Sequence, residues 1–299
     1  MRYISMDQAK PGMIVGKSVF NEEGKILVNY KVCLTEKLIG QMKEKKLQGL
    51  YISDELSKDI NIEPLVSEEL EQRATQVLHD MDIDAALEVA SDITEELSRH
   101  GDINVNLVSL RTSSDYTYKH SLNVAILSVL IGIGMGMRQS ALKELATAGL
   151  LHDIGKIGIP DRILNKPERL TDEEYKEMKS HVVKGGEILK SFTLIDNIEE
   201  GALYHHERYD GKGYVHGLKG EEIPLNARII GIADAFDAMT ANRVYRKKLD
   251  MDFLLGELKK GRGTQFDPQL TDIMLHLIET GQIDMQRLYD NANVKEEEE

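Results

Sequence analysis

The chain has 299 residues, enough for two domains at roughly 100–200 residues each. Hydrophobic residues make up 41% and charged residues 29%, an ordinary globular composition. Against 37 basic residues stand 51 acidic ones, and the net charge of -14 disfavours duplex DNA and anionic membranes. A small anionic ligand would need a local basic cluster or bound cations. Cys33 is the single cysteine, which excludes a disulfide framework and a Cys-rich zinc site. No apolar run reaches the roughly 18–20 residues of a membrane span. The N-terminus lacks a signal-peptide pattern, so the expected location is cytoplasmic.

Residues 1–60 are expected to form a small mixed α/β unit. Met13 to Phe20 and Lys25 to Val28 can pair as a hairpin across the turn signal at Asn21 to Gly24. Thr35 can cap a helix running to Leu47, ended by Gly49, and Leu50 to Ile52 reads as a closing strand. The polar stretch Asp54 to Ser67 is the expected boundary. Beyond it, residues 61–290, with a core at about 110–280, take on a helical period. Leu70, Ala74, Val77, Leu78 and Met81 share one face, and Leu87, Ala90, Ile93 and Leu97 another. Further helices are expected at about Tyr116–Ile131, Ser140–His152, Asp172–Leu189, Ile195–His206, Ala227–Thr240 and Thr271–Glu279. Thr171 with Glu174, and Asp196 with Glu199, have capping-box spacing. The fold class is therefore mainly α, with an all-helical second domain. The terminal Lys295 to Glu299 reads as a solvated tail.

Nine histidines punctuate the chain. His79, His100, His216 and His276 read as ordinary surface or core residues. His120, His152, His181, His205 and His206, with Asp153 and Asp234, sit where helices could bring them together. Imidazole and carboxylate together suit Fe, Mn, Zn or Ni. Gly155 permits a sharp exit after His152-Asp153, and Lys156 returns a cation. A glycine-rich turn, Asp210 to Tyr214, follows His205-His206-Glu207. Asp237 lies one turn after Asp234 and could orient a metal-binding histidine, and Glu207 could do so for His206. Arg243 and Arg246, followed by Lys247 and Lys248, form the basic cluster that the net charge makes necessary.

These segments carry a resemblance. The text LLHDIGKIGIPDRILNKPERLTDEEYKEMKSHVVKGGEIL, then HHERYDGKGY, then GLKGEEIPLNARIIGIADAFDAMTANRVYR and GTQFDP resembles the HD-GYP branch of the HD phosphohydrolases. The N-terminal KPGM, GKIL and LYI segments look like the small domain that often precedes it. The resemblance implies an all-helical domain that binds metals, Fe or Mn above all, and hydrolyses cyclic di-GMP. It implies a first metal on His120, His152, Asp153 and Asp234. The second would lie on His181, His205 and His206, with Asp153 bridging. Lys156 would sit beside the scissile phosphate, Arg243 and Arg246 would grip ligand phosphate, and Gly213 and Tyr214 would pack against the nucleotide.

Two departures matter. Val215 stands where the Gly-Tyr-Pro signature has proline, which leaves the loop freer. Tyr116 occupies the position of a third-metal glutamate, so two divalent metal ions are expected. The expected reaction is attack by a metal-bridging hydroxide on phosphorus, giving pGpG, GMP or both. Cyclic GMP-AMP as substrate, or a non-catalytic receptor for a cyclic dinucleotide, are the alternatives. A protein partner could dock through the Gly-Tyr loop or the N-terminal unit, and a homodimer is compatible with the sequence. No DNA and no membrane partner is expected.

Overall fold

The computed structural model describes residues 2–16, 18–20, 26–45, 47, 49–54, 66–99, 116–192, 197–241 and 251–283. Five strands come first: β1 (Arg2–Ser5), β2 (Ile14–Val15), β3 (Val19–Phe20), β4 (Ile26–Val28) and β5 (Gly49–Ser53). β5 lies between β1 and β2, antiparallel to both, with Tyr3 opposite Tyr51 and Val15 opposite Ile52. β3 and β4 form the expected hairpin as a separate antiparallel pair. Thr35 caps α1 (Glu36–Glu44), accepting from the Leu38 N–H, but the helix stops at Lys45. Ile4, Val15, Leu34, Met42, Leu50 and Ile52 pack into one small core.

A second hydrophobic core begins at Val66. It is built from α2 (Glu68–Asp80), α3 (Ile83–Arg99), α4 (Tyr116–Gly134), α5 (Gln139–Leu151), α9 (Ile198–Tyr204), α10 (Leu225–Ala241), α11 (Met251–Gly261) and α12 (Pro268–Glu279). Between α5 and α9 lie a 3-10 turn at Ile154–Gly158, α6 (Asp161–Leu164), α7 (Asp172–Lys179) and α8 (His181–Lys190), whose Leu189 also joins this core. Beyond Asn123, α4 is apolar on every side but for Ser128, which marks a central helix. Val124, Ala125, Leu127, Val129 and Ile131 are fully buried there, and α5 and α10 pack against it. Among the described residues, no helix is long and apolar enough to cross a membrane.

The fold is mainly helical with a small strand-bearing unit in front, as expected, but local details differ. Met81 does not extend the α2 stripe. It adopts a left-handed conformation as the helix cap and is exposed. The single helix expected over Asp172–Leu189 is two, broken at Ser180. The Ser180 hydroxyl donates to the Glu177 carbonyl at 2.6 Å, the local bonding through which serine competes with helical continuation. α7 does carry its capping box, with Thr171 and Glu174 bonded in both directions. α9 starts from Asn197 in a left-handed conformation; Asp196 lies outside the described residues. α6 and α11 are additional to the expected helices.

Candidate metal centre

Three helix ends, one turn and the faces of two further helices converge. α4 supplies His120, the end of α5 supplies His152, and the following turn supplies Asp153. α8 opens with His181, α9 closes into His205-His206, and α10 contributes Asp234. The ring centroids of His120 and His152 are 5.2 Å apart, those of His152 and His205 5.0 Å, and those of His181 and His206 5.2 Å.

Four of the imidazoles are oriented through Nδ1. His120 Nδ1 bonds Asp237 Oδ2 at 2.8 Å, and His152 Nδ1 bonds the Gly149 carbonyl at 2.8 Å. His181 Nδ1 bonds the Met178 carbonyl at 2.7 Å, and His205 Nδ1 bonds the Ala202 carbonyl at 3.0 Å. Their Nε2 atoms are thereby turned toward the common centre. Asp153 faces several of them. Its Oδ2 lies 3.3 Å from His152 Nε2 and 3.8 Å from His120 Nε2, while its Oδ1 lies 3.5 Å from His181 Nε2. Asp234 Oδ1 is 3.2 Å from His120 Nε2, and its Oδ2 is 4.0 Å from His206 Nδ1.

This donor set fits divalent cations. His181, His205 and His206 can surround one ion, and His120, His152 and Asp234 another, with the donor atoms of each group within 4.8 Å of one another. Asp153 Oδ1, His181 Nε2 and His205 Nε2 are buried without a hydrogen-bond partner. Buried polar atoms left unpaired are costly, and a cation would satisfy all three. Burial holds the His181 and His205 rings below the usual imidazole range, and lowers His206 to about 4. These rings are neutral at pH 7, the form that binds metal. His120 goes the other way. Burial opposes its charge, but the carboxylates of Asp234 and Asp237 on either side raise it to about 10. Burial also opposes the charge on Asp153 and Asp234, yet the neighbouring histidines keep both carboxyls below the ordinary range.

The other expected site residues divide. Lys156 Nζ sits 2.5 Å from Asp153 Oδ2 and remains about one-third exposed. Asp237 also accepts from Asn123 Nδ2 at 2.8 Å. Asn123 was not singled out from sequence, although it stands three residues after His120 on the same helical face. Glu207 does not reach His206. Its Oε1 accepts from the main-chain N–H groups of His216 and Gly217 at 2.7 and 3.0 Å, so it ties down the Gly-Tyr loop. Gly213 passes so close to the preceding turn that a Cβ would lie 2.4 Å from the Arg208 nitrogen. Tyr214 lies with its ring 4.9 Å from that of His206. Arg243 and Arg246 lie outside the described residues, as does the side chain of Tyr116. The GTQFDP segment holds the loop from the far side: the Tyr209 and Asp210 N–H groups donate to the Gln265 and Thr264 carbonyls.

Residues 103–270 match the family described as HD domain. The chain belongs to that family. A cyclic di-GMP phosphodiesterase of Pseudomonas aeruginosa is 38% identical over 60% of this chain and 45% of its own length. A 3'3'-cGAMP-specific phosphodiesterase of Vibrio cholerae is 36% identical over 56% of this chain and 32% of its own length. This HD domain chain thus spans less than half the length of these relatives. An HDG"Y"P protein of Bdellovibrio bacteriovorus shares the fold, with a TM-score of 0.59 over 93% of this chain and 99% of its own, at 14% identity. The HD domain and its His/Asp groups together imply divalent metal binding.

Proposed function

We propose that this chain hydrolyses cyclic di-GMP, with residues 61–290 as the catalytic domain and residues 1–60 as a small accessory unit. The observation that carries the reading is Asp153, whose two oxygens face histidines of both donor groups. His120, His152, Asp153 and Asp234 would hold one cation, and His181, His205, His206 and Asp153 the other, with iron or manganese suited to this mixed nitrogen and oxygen set. Bound cations at such a centre supply Lewis acidity toward a phosphodiester and toward water.

The chain's own residues complete the chemistry. Asp237 keeps the His120 proton on Nδ1 and its Nε2 directed inward. Lys156, paired with Asp153 and about one-third exposed, can neutralise charge on the non-bridging phosphate oxygens. Tyr214, braced by the Glu207 bonds to its loop, gives the nucleotide an aromatic wall beside His206. Arg243 and Arg246 are assigned to ligand phosphate on the sequence motif alone.

The similarity to a cyclic GMP-AMP phosphodiesterase supports a second reading in which the substrate is that mixed dinucleotide. One experiment separates the readings. Protein prepared without oxygen is analysed for metal and incubated with each dinucleotide, and the products are separated by chromatography. Consumption of cyclic di-GMP to pGpG or GMP is the expected result. Metal-loaded protein that turns over neither dinucleotide would overturn the assignment.

A further inference from the structure

Beside the metal centre, a cation and two aromatic rings stand in sequence. Lys179 Nζ lies 4.8 Å from the centroid of the Tyr175 ring and 5.3 Å from that of Tyr214. Tyr214 in turn stands 4.9 Å from His206. Tyr175 is half exposed, and Lys179 is four residues after it, so both project from one face of α7. Among the described residues no ion pair joins Lys179 to a carboxylate, in contrast to Lys166 with Glu174 and Lys184 with Glu177. The array therefore offers an aromatic face and an ammonium group next to the residues assigned to phosphate chemistry.

We propose that Lys179, framed by Tyr175 and Tyr214, reads a guanine base of the substrate. This rests on the cyclic dinucleotide reading above. Guanine presents two acceptors, O6 and N7, on one edge, and an ammonium can donate to both. Adenine presents N7 beside an amino group, which is a donor and faces an ammonium unfavourably. The rings supply stacking surface for either base, so they contribute affinity while Lys179 contributes the choice. One such contact reads one base. Cyclic di-GMP and cyclic GMP-AMP should both be accepted, and cyclic di-AMP should be poor.

The test compares kcat/KM for cyclic di-GMP and cyclic di-AMP in the metal-loaded full chain, with bis(p-nitrophenyl) phosphate as a substrate without a purine. Lys179→Met should lower the guanine preference about tenfold to a hundredfold. Its metal content and its rate on the nitrophenyl ester should stay as in the parent. Lys179→Arg, which replaces the ammonium by another cationic donor able to reach O6 and N7 and keeps the stacking, should retain the preference. A role confined to holding Tyr214 in place would lower both dinucleotide rates together and leave their ratio unchanged, which overturns the proposal. So would a parent enzyme that takes cyclic di-AMP as readily as cyclic di-GMP. If Lys179→Met fails to fold, Lys179→Gln against Lys179→Arg decides: equal base preference in the two overturns it. A parent enzyme that cleaves no cyclic dinucleotide at all instead fails the proposed function, and the base assignment falls with it.

Discussion

Gly155 lies beneath the backbone of His181 so closely that a Cβ on it would stand 1.9 Å from the His181 carbonyl oxygen and 2.4 Å from the Gly185 nitrogen. Both obstacles are main chain and neither can rotate away. The contact presses the turn that carries Asp153 and Lys156 onto the start of α8, and so fixes the distance between Asp153 and His181. Lys184 reinforces it by donating from Nζ to the Gly158 carbonyl at 2.7 Å. Gly155→Ala should therefore separate two ligand-bearing segments. Overpacking costs typically 1–3 kcal/mol and sometimes more. With two backbone clashes, a loss of about 3 kcal/mol is expected, read as a lower melting temperature together with reduced metal content. Unchanged stability and full metal loading would show that the turn does not depend on this approach.

Asp153→Asn removes a negative charge from the centre of five histidines with almost no change of shape. The buried Oδ1 has no hydrogen-bond partner that the amide could adopt, and Lys156 loses its ion pair. Both donor groups lose a shared anionic ligand at once. Elemental analysis should find less metal than in the parent, and turnover of cyclic di-GMP should be abolished. A variant with two metals and a near-parent rate would refute the bridging assignment.

The sequence pattern makes the convergence of the candidate donors legible because they fall in pairs and at helix ends, where spacing and chemistry act together. It makes the capping box of α7 and the apolar body of α4 legible for the same local reason. What it hides is long-range. The expectation that Gly155 serves a sharp helix exit is corrected, because its place is set by α8, 26 residues further on, as judged from the His181 carbonyl. The partner of Glu207 is likewise not its neighbour His206 but the amides of His216 and Gly217. The bonds from Tyr209 and Asp210 to the GTQFDP turn leave no trace in either segment read alone. Asn123 had a local signal, a polar residue three positions after His120 in an apolar run.

Asp237→Asn tests the support behind His120. Asp237 takes the His120 Nδ1 bond and the Asn123 amide together, and it is 2% exposed. An asparagine there keeps the volume but exchanges one acceptor for a donor, which weakens the hold on the ring. Loss of such an orienting partner lowers metal affinity or activity by about 10- to 100-fold. The decrease should appear in a metal titration, with near-parent circular dichroism. An unaltered affinity would show that His120 needs no carboxylate behind it.

Removing metal should cost stability as well as activity. A ligand held at a hundred times its Kd adds about 2.7 kcal/mol to the folded state. For a helical unit of this size, each kcal/mol shifts Tm by roughly 2–4 °C. Chelation should lower Tm by about 5–10 °C, and refilling with iron or manganese should restore it. No shift on chelation would mean that the buried histidines are satisfied by something other than a cation.

Glu207 gives the most discriminating variant, because it joins the turn of the proposed metal donors to the loop assigned to the nucleotide without belonging to either set. It is buried, and its Oε1 receives two main-chain N–H groups, those of His216 and Gly217. Hydrogen bonds to a charged group contribute about 1.5–3 kcal/mol. Glu207→Ala removes the one oxygen that accepts both N–H groups and frees the segment that carries Tyr214 and Val215. Val215 is exposed and adds no burial to hold the loop in place. His205, one of the proposed metal donors, keeps its own anchor on the Gly201 and Ala202 carbonyls of α9, so metal content should change little. The loop must then be ordered by the substrate itself, and that entropy appears as weaker binding. KM for cyclic di-GMP should rise about tenfold or more while kcat falls less, and Glu207→Gln, which keeps one acceptor in place, should lie between the two. If Glu207→Ala instead empties the metal centre and leaves KM alone, the residue braces the histidine turn and not the loop.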